Sequence, residues 1–349
     1  MIREAIEAIV NGRSLTFEQA AEVMEEIMSG EATPAQFAAF VTALRVKGET
    51  VSEIAGLASV MQAKATPVPV TAPVVDTCGT GGDSSFSFNI STAAAFIAAG
   101  AGLKVAKHGN RAMSSHCGSA DVLEALGVKI DLGAEAVAQC LETVGIGFMF
   151  APIFHPAMKF AAAPRREIGI RTVFNVLGPL TNPAKAEYQV VGVPNAELGE
   201  KIAHVLFQLG TKHSFVVHGT DGMDEISISG KSLVWDVNPH RVLPPYEVSP
   251  EDFGFEKASM AETRGGTARQ NAKILRTILS GEAGARRNIV VMNGAAALVA
   301  GNRASNLKEG AHIAEETIDS GRARAKLDEL IQLTKRLANV IPSKAKQSQ

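Results

Sequence analysis

The segment Thr66-Pro67-Val68-Pro69-Val70-Thr71-Ala72-Pro73 divides the chain into two stretches of different periodicity, which limits it to a two-part architecture. Its prolines favour extended backbone, so it reads as a semi-rigid linker or hinge at 67–73 and marks a domain boundary. Ahead of it, residues 1–66 carry apolar positions at helical spacing and three capping boxes: Thr16 with Gln19, Thr33 with Gln36, and Thr50 with Glu53. Pro34 at a first helical position, and Gly30 and Gly48 near helix ends, support the same boundaries. A small helical bundle is expected. Ile27, Phe37, Phe40, Val41 and Leu44 offer more apolar surface than one short bundle needs, so they either pack within the domain or meet another subunit.

Beyond the linker, strand-like runs at 103–106, 147–150, 189–193 and 214–217 alternate with helical runs such as 134–144 and 196–209. That alternation predicts an α/β domain over 74–342 with a mostly parallel central sheet flanked by helices. Residues 233–237 are expected to add an antiparallel hairpin, the chain from 264 onward to be helical, and 343–349 to form a flexible tail.

The run Asp76-Thr77-Cys78-Gly79-Thr80-Gly81-Gly82-Asp83 follows a strand ending at 74–76 and precedes a helix at 91–101. Glycines let backbone N–H groups approach an anion, and a helix N-terminus carries unpaired donors and partial positive charge. A glycine cluster also serves a plain tight turn. Here Lys107, Asn110, Arg111, Ser114, Ser115 and Ser119 lie one strand and loop further on, which favours an anion site. A dinucleotide fingerprint fails because Ser84 stands where its third glycine belongs, and a P-loop fails because Asp83 follows Gly82. A polyphosphate or sugar-phosphate site remains, with carboxylates nearby that suit a divalent metal.

A net charge of −2 provides no global basic field, which argues against nucleic-acid binding. Met1-Ile2-Arg3-Glu4 opens directly into an amphipathic pattern without a signal peptide. No apolar stretch is long enough to span a bilayer, so a cytoplasmic protein without membrane partners is expected. The three cysteines, Cys78, Cys117 and Cys140, form no Cys-x-x-Cys pair and read as reduced, small buried side chains.

Within His218-Gly219-Thr220-Asp221-Gly222-Met223-Asp224-Glu225, the adjacent Asp224 and Glu225 suit magnesium on a pyrophosphate; taken alone the stretch is a solvated turn. Arg165, Arg166 and Arg171 offer planar forks for an acidic co-substrate, or simply a charged helix surface. The 175–182 loop with Pro183 reads as a rigid pocket wall, and His108 sits among candidate ligands in a 107–111 loop. No nucleophile-base-orienter set is legible, so group transfer by positioning and electrostatic stabilisation is expected rather than covalent catalysis.

These motifs, with Asn89-Ile90-Ser91-Thr92, Lys107-His108-Gly109-Asn110-Arg111, Gly118-Ser119-Ala120-Asp121, Arg171-Thr172, Phe174-Asn175 and Gly178-Pro179-Leu180, closely resemble those of the anthranilate phosphoribosyltransferases over nearly the whole chain. The resemblance implies a helical domain, joined by helices from about 156–183, an α/β domain of the nucleoside phosphorylase type, and a homodimer through the helical domains. It implies phosphoribosyl pyrophosphate across Gly79, Gly82, Asp83, Ser87, Asn89, Ile90, Ser91, Thr92, Lys107, His108, Gly109, Asn110, Arg111, Ala112, Met113, Ser114, Ser115 and Ser119. Anthranilate would meet Gly79, His108, Asn110 and Arg165, and Mg²⁺ would meet Ser91, Asp224 and Glu225. The implied reaction transfers the phosphoribosyl group to the anthranilate amine in tryptophan biosynthesis.

Two positions depart from the family pattern: Ser84 replaces a frequent glycine, and Ser87 a frequent threonine. A pyrimidine nucleoside phosphorylase shares the implied fold, but the glycine run and the Asp224-Glu225 pair fit pyrophosphate better. A nucleic-acid-binding paralogue would have lost His108, Asn110 and Arg165, all present here.

Overall fold

The computed structural model describes residues 1–83, 85–112 and 116–340. Helices α1 (Ile2–Val10), α2 (Phe17–Ser29), α3 (Pro34–Lys47) and α4 (Val51–Ala63) open the chain. All three capping boxes form, with the Thr16, Thr33 and Thr50 hydroxyls accepting from the N–H groups of Gln19, Gln36 and Glu53. Glu53 does more: its Oε1 accepts the Leu15 N–H at 2.9 Å and its Oε2 meets Lys47 Nζ at 3.0 Å, so one buried carboxylate ties together the ends of α2, α3 and α4.

The proline-rich segment has no regular structure, yet it is anchored: the Thr66 N–H donates to the Phe154 carbonyl at 2.8 Å and the Val68 N–H to that of Pro183 at 3.2 Å. There follow β1 (Val75–Gly79), α5 (Ile90–Gly100), β2 (Val105–Gly109), α6 (Ser119–Leu126), α7 (Ala134–Thr143), β3 (Ile146–Phe150), α8 (Ala151–Phe154) and α9 (Lys159–Ile168). After two 3-10 turns, Val173–Asn175 and Gly178–Leu180, come β4 (Tyr188–Gly192), α10 (Ala196–Gln208), β5 (His213–Gly219), β6 (Ser232–Asn238), β7 (Arg241–Val242) and β8 (Tyr246–Val248). Helices α11 (Ala268–Leu279), α12 (Ala285–Ala300), α13 (Leu307–Asp319) and α14 (Arg322–Val340) complete the described chain. The expected tail at 343–349 lies outside the described residues.

The sheet runs β3-β2-β1-β4-β5-β6-β7, with β8 also on β6; the first five strands are mutually parallel and β6 runs antiparallel to β5. The expected mostly parallel sheet between helical layers is what forms. Strand alternation assigns the two faces: Val190, Phe215, Val217 and Val234 pack with α5 and α12–α14, whereas Val191, Val216, Trp235 and Val237 pack with α10 and the N-terminal helices. The α9 segment lies against α2 and α3, and the Phe160 ring fills the space beside Gly30. Among the described residues no helix is long and apolar enough to cross a membrane.

Two local expectations change, and one open alternative is decided in favour of packing within the chain. β1 continues past Asp76 through Gly79, and Lys107 and His108 belong to β2 rather than to a loop, because pairing with one neighbouring strand in each case (Gly79 opposite Gly192 of β4, His108 opposite Met149 of β3) outweighs weak intrinsic strand propensity. Ile27, Phe37, Phe40, Val41 and Leu44 are all buried within the chain by α9, α10 and Phe174, so the exposed apolar surface of the bundle lies elsewhere, at Val10 and Val46.

Candidate active site

The chain builds β1, β2 and β3 outward in one direction, then crosses back to lay β4, β5 and β6 in the other. The reversal falls between β1 and β4, and in such sheets a crevice opens beyond the carboxyl ends at that point. Those ends are Gly79 and Gly192. Both glycines are required by Asp224: a Cβ on Gly79 would lie 2.4 Å from Asp224 Oδ2, and one on Gly192 would lie 1.6 Å from the Asp224 carbonyl oxygen.

Asp224 Oδ2 accepts the Gly81 N–H at 3.0 Å, and Glu225 Oε1 accepts the Ser91 N–H at 3.1 Å at the start of α5. Adjacent carboxylates therefore hold the two backbone elements of the anion cradle. Burial, followed by the neighbouring Asp83 carboxylate, pushes Asp224 up to about 7, and burial followed by Asp224 raises Glu225 well above the usual carboxylate range. Asp83 Oδ2 is buried without a partner among the described residues. The cluster thus has more negative charge than its neighbours compensate. Among the described residues no three His, Cys, Asp or Glu converge as a ready-made metal cage. A carboxylate pair beside a helix-start serine has the chemistry to hold an ion that keeps waters and substrate oxygens.

Alternation along β2 separates two kinds of chemistry. Lys107 faces the cradle: its Nζ donates to the Thr77 carbonyl, and its charge acts on Glu225. His108, one residue on, faces the opposite side, where its Nδ1–H donates to the Gly178 carbonyl at 3.1 Å and its ring lies 5.0 Å from that of His155, tilted by 49°. A carbonyl only accepts, so Nδ1 carries the proton and Nε2 is left as a bare acceptor, buried and unpartnered among the described residues. Burial, then the nearby His155, lowers His108 to about 3. Both strands are fixed by Asp76, whose carboxylate accepts from the His108 N–H at 3.3 Å and from Asn182 Nδ2 at 2.7 Å; burial raises its pKa.

Arg165, half-buried on α9, lies over the Phe174 ring at 5.4 Å with no carboxylate in ion-pair range among the described residues; burial lowers its pKa. Its partner Arg166 is exposed on the same helix. Asn89 is fixed from both sides, donating to the Cys117 carbonyl at 3.0 Å and accepting from Asn271 Nδ2 at 2.9 Å, and Thr92 Oγ1 is buried and unpartnered among the described residues. On the loop after β2, Asp121 at the head of α6 accepts from the Ala112 and Gly118 N–H groups, each at 2.9 Å, and pairs with Arg111 at 2.9 Å. Ser119 Oγ would lie 2.1 Å from a Cβ on Gly109, so this loop is closely packed around Asn110.

The structure thus brings Gly79, Asp83, Ser91, Asp224 and Glu225 together at the crevice, with Lys107 beside them and His108 across β2. Met113, Ser114, Ser115 and the departure Ser84 lie outside the described residues. Asp76 and Asn182 were named in sequence only as members of the glycine run and the 175–182 loop, and His155, an isolated polar residue in an apolar run, was not named at all; only the fold shows their partners. The three thiols are free, and burial pushes each up, Cys117 and Cys140 to about 11, which removes the thiolate needed for nucleophilic catalysis.

Residues 3–65 match the helical bundle domain of a glycosyl transferase family, and residues 71–324 match the α/β domain of that family. Anthranilate phosphoribosyltransferase of Dehalococcoides mccartyi is 58% identical over 340 residues, covering 97% of this chain and 100% of the relative. That of Chloroflexus aggregans is 60% identical over 335 residues, covering 96% and 98%. Among solved structures, the Thermus thermophilus enzyme superposes with a TM-score of 0.90 at 40% identity, covering 95% of this chain and 99% of that one. The Saccharomyces cerevisiae enzyme, in complex with phosphoribosyl pyrophosphate and Mg, gives 0.88 at 29% identity, covering 96% and 98%. With both domains matched and this identity sustained along the chain, the protein belongs to the anthranilate phosphoribosyltransferase family.

Proposed function

We propose that the family's reaction, transfer of the 5-phosphoribosyl group from phosphoribosyl pyrophosphate to the amine of anthranilate in tryptophan biosynthesis, is carried out at the β1/β4 crevice by the residues gathered there. One observation carries this reading: glycine-run amides, a helix N-terminus and a buried carboxylate pair meet at the one point where the sheet opens.

The glycine run from Gly79 to Asp83, with Ser87, residues 89–92, the 107–115 segment and Ser119, holds phosphoribosyl pyrophosphate; Asp224 and Glu225 fix the loop and the start of α5 through the Gly81 and Ser91 N–H groups, and the remaining donors take the anionic oxygens. Lys107 adds a fixed positive charge beside them. Ser91, Asp224 and Glu225 hold magnesium, and the uncompensated charge at Asp83 and Asp224 fits a divalent cation there. Magnesium, when bound, neutralises charge on the departing pyrophosphate. Anthranilate lies on the other side of β2 among Gly79, His108, Asn110 and Arg165, where Arg165 takes the carboxylate and bare Nε2 of His108 accepts from the amine.

The amine nitrogen forms a bond to ribose C1 as the bond from C1 to the pyrophosphate oxygen breaks. An aromatic amine is a weak nucleophile because its lone pair is delocalised, so the transition state is dissociative with positive charge on the sugar. Catalysis then rests on alignment and leaving-group stabilisation, and among the described residues the site contains no activated nucleophile. The ammonium proton passes to the substrate's own ortho carboxylate or to water.

The protein acts as a homodimer through its helical domain. Val10 and Val46 are 70% and 83% exposed and flank a groove of about 460 Å³ lined with Ile9, Ala39 and Ala43, apolar surface that a second copy would cover. The test of function is anthranilate fluorescence on mixing with phosphoribosyl pyrophosphate. Magnesium-dependent loss of signal with pyrophosphate release is expected; an unchanged signal overturns the reading.

A further inference from the structure

Arg171 leaves α9 just beyond Gly169, the left-handed cap of that helix, and precedes the Val173–Asn175 turn whose Phe174 packs on Phe37 of α3 at 5.2 Å. It is therefore anchored on the helical-domain side, on the same stretch of chain as Arg165. Its guanidinium reaches the glycine run, where Nη2 donates to the Gly81 carbonyl at 3.0 Å and to that of Thr80 at 3.4 Å. The contact is close: a Cβ on Gly82 would sit 2.0 Å from Nη1 and 2.3 Å from Cζ, so the planar group lies on bare backbone.

Two residues hold one peptide unit from opposite ends. Between Thr80 and Gly81 the carbonyl accepts from Arg171, and the N–H donates to Asp224 Oδ2. Arg171 holds the Thr80 and Gly81 carbonyls toward itself, while the Thr80 N–H donates to the Gly192 carbonyl at 2.9 Å and the Gly81 N–H to Asp224, so the loop is set from both sides. Only a flat, delocalised cation with several donors fits against Gly82 while reaching two successive carbonyls; a lysine ammonium is a compact point charge on a flexible stem.

We propose that Arg171 is a positioning residue for the transfer, setting the glycine loop for the pyrophosphate and linking its set to the seating of the Arg165-bearing segment. The inference rests on reading the glycine run as the pyrophosphate cradle. It assigns Arg171 neither to anthranilate nor to the metal. Its effect should therefore appear in phosphoribosyl pyrophosphate binding with or without magnesium.

The experiment compares the full-length protein with Arg171→Ala and Arg171→Lys by steady-state kinetics, by calorimetric titration of phosphoribosyl pyrophosphate with magnesium and with a chelator, and by thermal unfolding. Hydrogen bonds from a charged donor support an expected loss of about 10- to 100-fold in phosphoribosyl pyrophosphate affinity for Arg171→Ala. The loss should be present in both titrations, with the KM for anthranilate changed far less. Arg171→Lys should recover little, and added methylguanidinium should partly restore the alanine variant, an outcome a merely structural role would not produce. Unchanged affinity in both variants, or a large drop in Tm with both KM values moved alike and no chemical rescue, overturns the inference. Failure of the unaltered protein to bind phosphoribosyl pyrophosphate overturns the cradle reading, and this inference with it.

Discussion

Asp224 Oδ2 occupies the space where any side chain on Gly79 would begin, 2.4 Å from the position of its Cβ. A carboxylate from the β5–β6 connection thereby lies directly over the end of β1. Gly79→Ala should push that carboxylate off the Gly81 N–H while leaving the sheet in place. An ångström-scale displacement at a reacting centre supports a loss of about 100-fold in kcat/KM for phosphoribosyl pyrophosphate, with little change in Tm. Gly192→Ala meets backbone at 1.6 Å and should instead lower Tm or prevent folding. Near-normal turnover by Gly79→Ala would refute the packing argument.

The double variant Asp224→Asn with Glu225→Gln keeps the shape of both side chains and removes two carboxyl groups whose ionised forms burial makes costly. Magnesium-dependent turnover should fall by at least about 100-fold, as for removal of a principal electrostatic element, whereas Tm should hold or rise because buried charge is costly. Full activity in this variant would remove the metal assignment.

Arg165 has an aromatic ring beneath it and no carboxylate partner among the described residues, so its donors are available to an anion. Arg165→Ala should raise the KM for anthranilate about 10- to 100-fold, the range for losing hydrogen bonds to a charged group, and raise that for phosphoribosyl pyrophosphate much less. Equal effects on both substrates would be incompatible with the role.

His108 and His155 make an acid-linked prediction. Burial lowers them from 6.5 to about 3 and about 4, so between those values and 6.5 the unfolded chain binds protons that the folded chain refuses. Their contribution is complete above the unfolded value and is lost as pH falls through this window, at roughly 1.4 kcal/mol per pH unit for each histidine. Urea unfolding at descending pH should show that slope, and His155→Gln should make it shallower. Equal slopes for the two proteins would contradict the burial argument.

The exposed valines of α1 and α3 predict the assembly surface. Val46→Glu should convert a dimer to a monomer in sedimentation or light scattering, since a charge in an apolar contact is poorly tolerated. A monomeric unaltered protein, or a dimer unaffected by the change, would place the interface elsewhere.

Much of this was legible along the chain because its causes are local. A threonine and the Glu or Gln three residues later make a capping box whatever surrounds them, and all three boxes form; strand and helix periods alone imply a mostly parallel sheet. Glycines followed by a helix start suggest an anion cradle because backbone donors need no partner from afar. What the sequence could not decide depends on register and strand order. Gly79 extends β1 only because Gly192 lies opposite it, and Lys107 and His108 point to opposite sides of the sheet only because they fall within a strand. The surface of Ile27, Phe37 and Leu44 was covered by residues more than 100 positions away, including Phe174 and α10. Asp224, Arg171 and the Thr80-Gly81 peptide are likewise far apart in sequence, and only the reversal of strand order between β1 and β4 brings them to one crevice.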